Sequence, residues 1–168
     1  MRNKSFLLIF AAGMTAACLG SAARAEPVPP TLQARYAALT RAFEKRDARA
    51  YATFFDRSFV VADPSGKATS RTAYLAEVSK MLKTAKKATL KIAVKDATSR
   101  DGIVDVSFDA TRIVISRAQQ AEIDAAPKSG PQVSNVPVFH ESGVDSWKKV
   151  GKTWVKVKTT IKTVSSVL

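Results

Sequence analysis

The stretch whose reading decides the fold is Val138 to Thr163, VFHESGVDSWKKVGKTWVKVKTTIKT. Two extended runs meet there at a glycine turn. The first carries Asp145-Ser146-Trp147, and the second opens on Gly151-Lys152-Thr153-Trp154. Past the turn, Val155, Val157, Thr159 and Ile161 alternate with Lys156, Lys158, Thr160 and Lys162. Alternation with period two is the pattern of a strand with one dry face and one wet face. It predicts a hairpin whose lysines line the convex outside of a sheet.

Working back towards the N-terminus, the same period recurs. Leu90, Ile92 and Val94 alternate with Lys91, Ala93 and Lys95, and after a turn at Ser99–Gly102 so do Val104, Val106, Phe108 and Ala110 with Asp105, Ser107, Asp109 and Thr111. The phase blurs at Ile113-Val114-Ile115, as at a bulge or a covered edge. Arg117 to Pro131 is polar and reads as a long hairpin connection with one helical turn at Gln119–Ile123. Lys91 and Lys95 join Lys156, Lys158 and Lys162 on the expected outer face, with Asp105 and Asp109 as cross-strand partners.

The first half of the chain has the helical period instead. Leu32, Tyr36, Leu39 and Phe43 are spaced four, three and four, which makes one buried stripe on a helix starting at an N-cap Thr31. Asp47 caps a shorter helix with Tyr51, Phe54 and Phe55, and a third helix runs from Ser70 to Thr84 over Tyr74, Leu75, Val78, Met81 and Leu82. Between them lie a short strand, Phe59–Ala62, and an Asp63-Pro64-Ser65-Gly66 turn. Three N-terminal helices followed by strands joined as hairpins indicate an α+β domain, helices packed in an antiparallel sheet.

The N-terminus has the three parts of a secretory signal. Arg2 and Lys4 supply charge, Phe6 to Met14 an apolar core too short to span a bilayer, and Ala23-Arg24-Ala25 a cleavage site. The expected domains are a signal peptide 1–25, a stiff linker 26–30 (EPVPP) and a single domain 31–168, with a periplasmic or secreted location. The alternative is a lipid anchor on Cys18, from Thr15-Ala16-Ala17-Cys18. Cleavage after Ala25 removes the only cysteine, and with it disulfides, thiolate catalysis and cysteine-bound metal. It also takes Arg2, Lys4 and Arg24 from 27 basic residues, leaving 24 against 14 acidic ones, a net charge of +10. Such a balance suits a soluble lysine-rich surface or a polyanionic partner. No aromatic base-stacking motif is present, so specific nucleic-acid binding is not expected.

The order and spacing of several pieces resemble the nuclear-transport-factor-2-like superfamily, the SnoaL-like and ketosteroid-isomerase-like cone. The pieces are Lys45-Arg46-Asp47-Ala48, Tyr51-x-x-Phe54-Phe55, Val60-Val61-Ala62-Asp63-Pro64-Ser65-Gly66, Asp145-Ser146-Trp147-Lys148-Lys149 and Gly151-Lys152-Thr153-Trp154. The resemblance implies a strongly curved sheet wrapped around the helices, an apolar cavity at the open end of the cone, and frequent dimers through the sheet face. Its members include isomerases, dehydratases and non-enzymatic binding domains, so the fold does not choose the function.

Isomerase-type chemistry needs a carboxylate base in an apolar pocket and a donor for an enolate oxygen. The chain offers Asp145, Glu141 and Asp63 as acids and Tyr36, Tyr51 and Tyr74 as donors. Asp145 and the single histidine, His140, are the candidate catalytic residues. Asp145 competes with a role as ion-pair partner of a neighbouring lysine, and His140 with a structural role. Regular alternation puts His140 with Val138 and Val144, whereas Phe139 and Trp147 claim the opposite face, so the inward phase stays open. Candidate pocket residues are Tyr36, Tyr51, Phe55, Phe108, Arg112 and Trp147, with Arg112 placed to hold a ligand carboxylate. There is no zinc spacing, phosphate-binding glycine loop or Gly-x-Ser-x-Gly elbow, and neither metal nor cofactor is expected. The leading expectation is non-catalytic binding of a small apolar or amphipathic ligand. The alternatives are an isomerase or dehydratase acting on a carbonyl compound, and a polyanion- or partner-binding protein using the lysine face.

Overall fold

The computed structural model describes residues 25–126 and 136–167. Residues 1–24 of the signal sequence, Cys18 among them, and the last third of the Arg117–Pro131 connection lie outside the described residues. In chain order the elements are α1 (Pro30–Glu44), α2 (Ala48–Ala52), β1 (Phe55–Ala62), β2 (Ala68–Ser70), α3 (Arg71–Thr84), β3 (Ala85–Arg100), β4 (Ile103–Ser116), α4 (Arg117–Ala125), β5 (Val138–Val150) and β6 (Thr153–Val167).

The strands make one curved six-stranded sheet in the order β2-β1-β6-β5-β4-β3. The sheet is mixed rather than antiparallel. β1 runs parallel to β6, while the other neighbours are antiparallel. Alternation reports which residues share a face but carries no strand direction, and the β1–β6 pair joins segments about a hundred residues apart.

Local chemistry accounts for the connections. Asp101-Gly102 is a two-residue loop with φ of 51° and 75°, the double positive φ of a type I′ hairpin. Gly151 opens the β5–β6 loop at φ 59°. Asp63 closes the β1–β2 turn by accepting from the Ser65 and Lys67 amides. Asp47 caps α2 and Ser70 caps α3.

Two expectations about helices change. α1 begins at Pro30 behind Pro29, without a side-chain cap, because a proline at the first helical position lacks only an amide that has no partner there anyway. Thr31 instead accepts from the Trp154 indole N–H. The helical turn expected at Gln119–Ile123 is a nine-residue helix, held by a capping box in which Ser116 and Gln119 bond each other's backbone amides. The segment read as a linker is docked: Glu26 bridges Ala97 of β3, and Val28 is buried.

The core lies between the helices and the inner face of the sheet. Leu32, Tyr36, Leu39 and Phe43 of α1 are all buried, as are Val78 and Leu82 of α3. They meet Leu90, Val104, Val106, Phe108 and Trp147 from the sheet. Phe55, Phe59, Tyr51 and Tyr74 form an aromatic group with ring centroids 4.6–5.5 Å apart in tilted and edge contacts.

The alternation of β6 is broken twice. Ser146 pairs with Lys158 but Trp147 with Lys156, so Val157 is extra; Ser142 pairs with Thr163 but Gly143 with Ile161, so Lys162 is extra. Each extra residue is a β-bulge that reverses the phase. Lys156 therefore points into the fold beside Thr159 and Ile161, contrary to its expected place on the outer face.

Candidate functional site

A cavity of about 240 Å³ opens between α1, α3 and the sheet. Leu39, Phe43, Leu90, Ile92, Phe108 and Ile161 give it an apolar body. Its polar groups are Tyr51, Tyr74, Thr69, Glu77, Arg112, Glu141, Asp145, Lys156 and Thr159. These come from α2, α3 and β2 on one side and from β4, β5 and β6 on the other.

At the inner end is a buried network centred on Asp145, whose residue is 1% exposed. Its Oδ2 accepts from the Tyr36 hydroxyl at 2.9 Å and from Lys156 Nζ at 2.6 Å. Its Oδ1 accepts from the Thr159 hydroxyl at 2.6 Å. The Trp147 indole N–H donates in turn to the Tyr36 oxygen at 2.8 Å. The arrangement follows from the strand register: Asp145 stands opposite Thr159, and the bulge at Val157 brings Lys156 round to the same face. Burying either charge alone is costly, and the pair with its extra donors offsets that cost. The Lys156 ammonium also lies 5.1 Å from the Trp147 ring and 5.6 and 5.8 Å from those of Tyr36 and Phe55.

Nearer the opening, the Tyr51 and Tyr74 hydroxyls are 2.9 Å apart. Two phenols share one hydrogen bond there, so one O–H proton is left for another acceptor. Arg112 and Glu141 pair at 3.0 Å, with the guanidinium stacked over Phe139. All three tyrosines are held neutral. Burial raises the Tyr36 phenol far above its ordinary value, and the Asp145 charge adds to the shift. Burial and the Tyr74 neighbour do the same for Tyr51, while burial pushes Tyr74 up to about 12.

Of the residues singled out from sequence, Asp145, Tyr51, Phe108 and Arg112 line the cavity. Tyr36 and Trp147 stand behind it as donors in the Asp145 network, and Phe55 packs on Tyr51 and Tyr74. His140 is not with them. Odd-numbered residues of β5 point inward, which leaves His140 exposed on the other face, 3.2 Å from the Thr111 hydroxyl. Asp63 is committed to its turn. Arg112 lines the cavity with one of its donors paired to Glu141.

Lys156 escaped sequence reading because the bulge that turns it inward leaves no mark in the alternation, and Thr159, read on the dry face, was not read as a donor to Asp145. A lysine fourth in line among residues that otherwise look like a one-sided strand reads as solvated. Gly143 was the one available sign of irregularity. A Cβ there would overlap the Thr160 carbonyl oxygen, so only glycine lets β6 approach at that bulge.

Among the described residues, no cluster of three or more His, Cys, Asp or Glu side chains is placed to hold a metal ion. Nor is any helix there long and apolar enough to cross a membrane.

No family model and no curated protein matches the sequence. Solved structures do match the fold. A protein provisionally named a scytalone dehydratase, from Novosphingobium aromaticivorans, superposes with a TM-score of 0.63 at 11% identity, over 82% of this chain and 84% of its own. A hexachlorocyclohexane dehydrochlorinase, LinA type 2, gives 0.57 at 8% identity over 82% and 87%. A nuclear-transport-factor-2-like protein of unknown function from Pseudomonas putida gives 0.52 at 10% identity over 77% and 82%. The fold is like that of this nuclear-transport-factor-2-like protein. Identities this low carry the fold across, and no activity. Two of these three neighbours bear the names of enzymes and one has no assigned function, so the superfamily cone hosts this cavity without specifying its use.

Proposed function

We propose that this chain binds a small apolar or amphipathic ligand in its cone without turning it over. The observation that carries the reading is the state of the cavity's acids. Asp145 accepts from Tyr36, Lys156 and Thr159, Glu141 is paired with Arg112, and Glu77 is exposed at the mouth. A general base in an apolar pocket needs a carboxyl with an unoccupied, desolvated oxygen facing its substrate. Three of the roughly four acceptor sites of Asp145 are taken. What remains is a mostly aliphatic and aromatic chamber with a few donors. At roughly 20–30 Å³ per heavy atom, its 240 Å³ takes a body of about ten heavy atoms. That is one substituted ring or a short branched chain.

The experiment is native mass spectrometry of the protein purified from the cells that make it, beside an Ala110→Leu variant. Ala110 lines the cavity, and a leucine there fills part of it. A co-purifying small molecule that the variant lacks is the expected result. An empty wild type that also shows no thermal shift with ring-sized apolar and amphipathic compounds would sink the reading. The same spectra give the N-terminus: a start at Glu26 is expected for an exported, cleaved protein, and a lipidated Cys18 defines the tethered alternative.

The second reading, an isomerase or dehydratase acting on a carbonyl compound, draws on the Tyr51–Tyr74 pair, which keeps one O–H proton beyond its shared bond and lines the same chamber as Asp145. It predicts that Asp145→Asn abolishes conversion of the co-purified compound. Unchanged recovery of that compound after incubation with the wild type counts against it.

A further inference from the structure

One lysine of the row read from the sequence as an outer face leaves it, while Lys91, Lys95, Lys158 and Lys162 stay exposed. Lys156 is buried, and Lys95 is paired with Asp109. A different basic surface is assembled at one end of the molecule. The Arg46 guanidinium donates to the Ala85 carbonyl at 2.7 Å, which ties the end of α1 to the junction of α3 and β3. Lys45 and Arg46 follow α1, Lys80 and Lys83 occupy the last turns of α3, and Lys86 and Lys87 open β3; all six are exposed. The ion pairs among the described residues use Lys95, Arg112, Lys148 and Lys156, and none of the six. Of the acids close by in sequence, Asp47 caps α2, Glu77 faces the cavity mouth, and Glu44 stands alone. The carbonyl ends of α1 and α3 favour cations, but only in their last turns, and Lys86 and Lys87 lie beyond them.

We propose that this end of the molecule docks on an anionic lipid bilayer. Five of its six cations are lysines, compact charges on flexible stems that suit a diffuse field of headgroup phosphates rather than planar, bidentate recognition. It has no stacking platform for bases. Among the described residues the exposed large hydrophobics are Val150, Val164 and Val167, none of them in this region. Docking there brings the cavity mouth close to the membrane, since Glu77 lines the mouth and Lys80 follows it by one turn of α3. The proposal does not depend on the cavity being filled.

The test is co-sedimentation of the full chain with phosphatidylcholine vesicles, with and without phosphatidylglycerol. Two triple variants are compared: Lys83→Gln/Lys86→Gln/Lys87→Gln in the patch, and Lys91→Gln/Lys158→Gln/Lys162→Gln on the sheet. Both keep the same N-terminal segment, so any binding through that segment cancels. With each surface lysine worth about fivefold near an anionic leaflet, the patch triple should lose on the order of a hundredfold in affinity for the anionic vesicles. The sheet triple should lose far less, and wild-type binding should weaken steeply with salt. Equal losses in both triples, or equal binding to neutral vesicles, would overturn the proposal. So would tighter, patch-dependent binding to double-stranded DNA, which would make the surface a nucleic-acid one.

Discussion

Replacing Lys156 by methionine keeps an unbranched side chain one atom shorter and removes its charge. The magnitude follows from the geometry. At 2.6 Å, and with side chains only 8% and 2% exposed, the pair attracts by about 6 kcal/mol at an effective dielectric of roughly 20. Most of that attraction offsets the desolvation of the two ions. The relevant quantity for the single variant is therefore the cost of leaving Asp145 buried without its cation, about 3–5 kcal/mol. Tyr36 and Thr159 still donate to the carboxylate, which places the expected loss near the lower end, about 3 kcal/mol. Against a total stability of about 5–15 kcal/mol for a domain, this leaves a protein that folds but melts early. Adding Asp145→Asn removes the stranded charge, and the double variant should recover most of the loss. Urea unfolding at neutral pH, followed by the fluorescence of Trp147 and Trp154, measures both. A single variant that loses less than about 1 kcal/mol, or a double variant no more stable than the single, would refute the claim that a buried charge pair organises this site.

Other outcomes follow from the same structure. Tyr36 and Tyr51 are buried and Tyr74 is partly buried, and all three phenols have raised pKa values, Tyr74 to about 12. Above pH of about 10 the unfolded chain loses phenol protons that the native state retains, so this stability is complete below about 10 and drains away as the pH rises, through about 12 for Tyr74 and further for Tyr36 and Tyr51. A native protein that shows tyrosinate absorbance near pH 10 without unfolding would contradict it. Gly143→Ala should cost about 1–3 kcal/mol in denaturant unfolding, because its methyl overlaps the Thr160 carbonyl and β6 must move away. A neutral effect there would mean the bulge is not tightly held. His140→Ala should leave stability within about 0.5 kcal/mol and leave ligand retention unchanged, since the ring lies on the outer face; loss of ligand in that variant would show that β5 is read in the wrong phase.

Periodicity in the chain determines a good deal by itself. Spacings of three and four place Leu32, Tyr36, Leu39 and Phe43 on one buried helical stripe, and spacings of two mark the long strands. Asp101-Gly102, Asp63-Pro64-Ser65-Gly66 and Gly151 mark turns through local backbone preferences that need no tertiary contact. That much is local, because a side chain's direction relative to its neighbours follows from φ and ψ alone. Inward and outward faces of β5 and β6 were harder to read, for a physical reason. Bulges at Val157 and Lys162 each shift the phase by one residue, and a bulge depends on how two distant strands meet. The parallel pairing of β1 with β6 is likewise a long-range choice. Asp145 stood out in the sequence as an acid beside a tryptophan, but its partners Tyr36, Lys156 and Thr159 come from α1 and from across the hairpin. Only the closed sheet brings them within 3 Å of one carboxylate. The identity of the site's acid could be read from the chain. Whether that acid stood free or paired was decided by the fold, because a buried charge takes its state from whatever packing puts next to it.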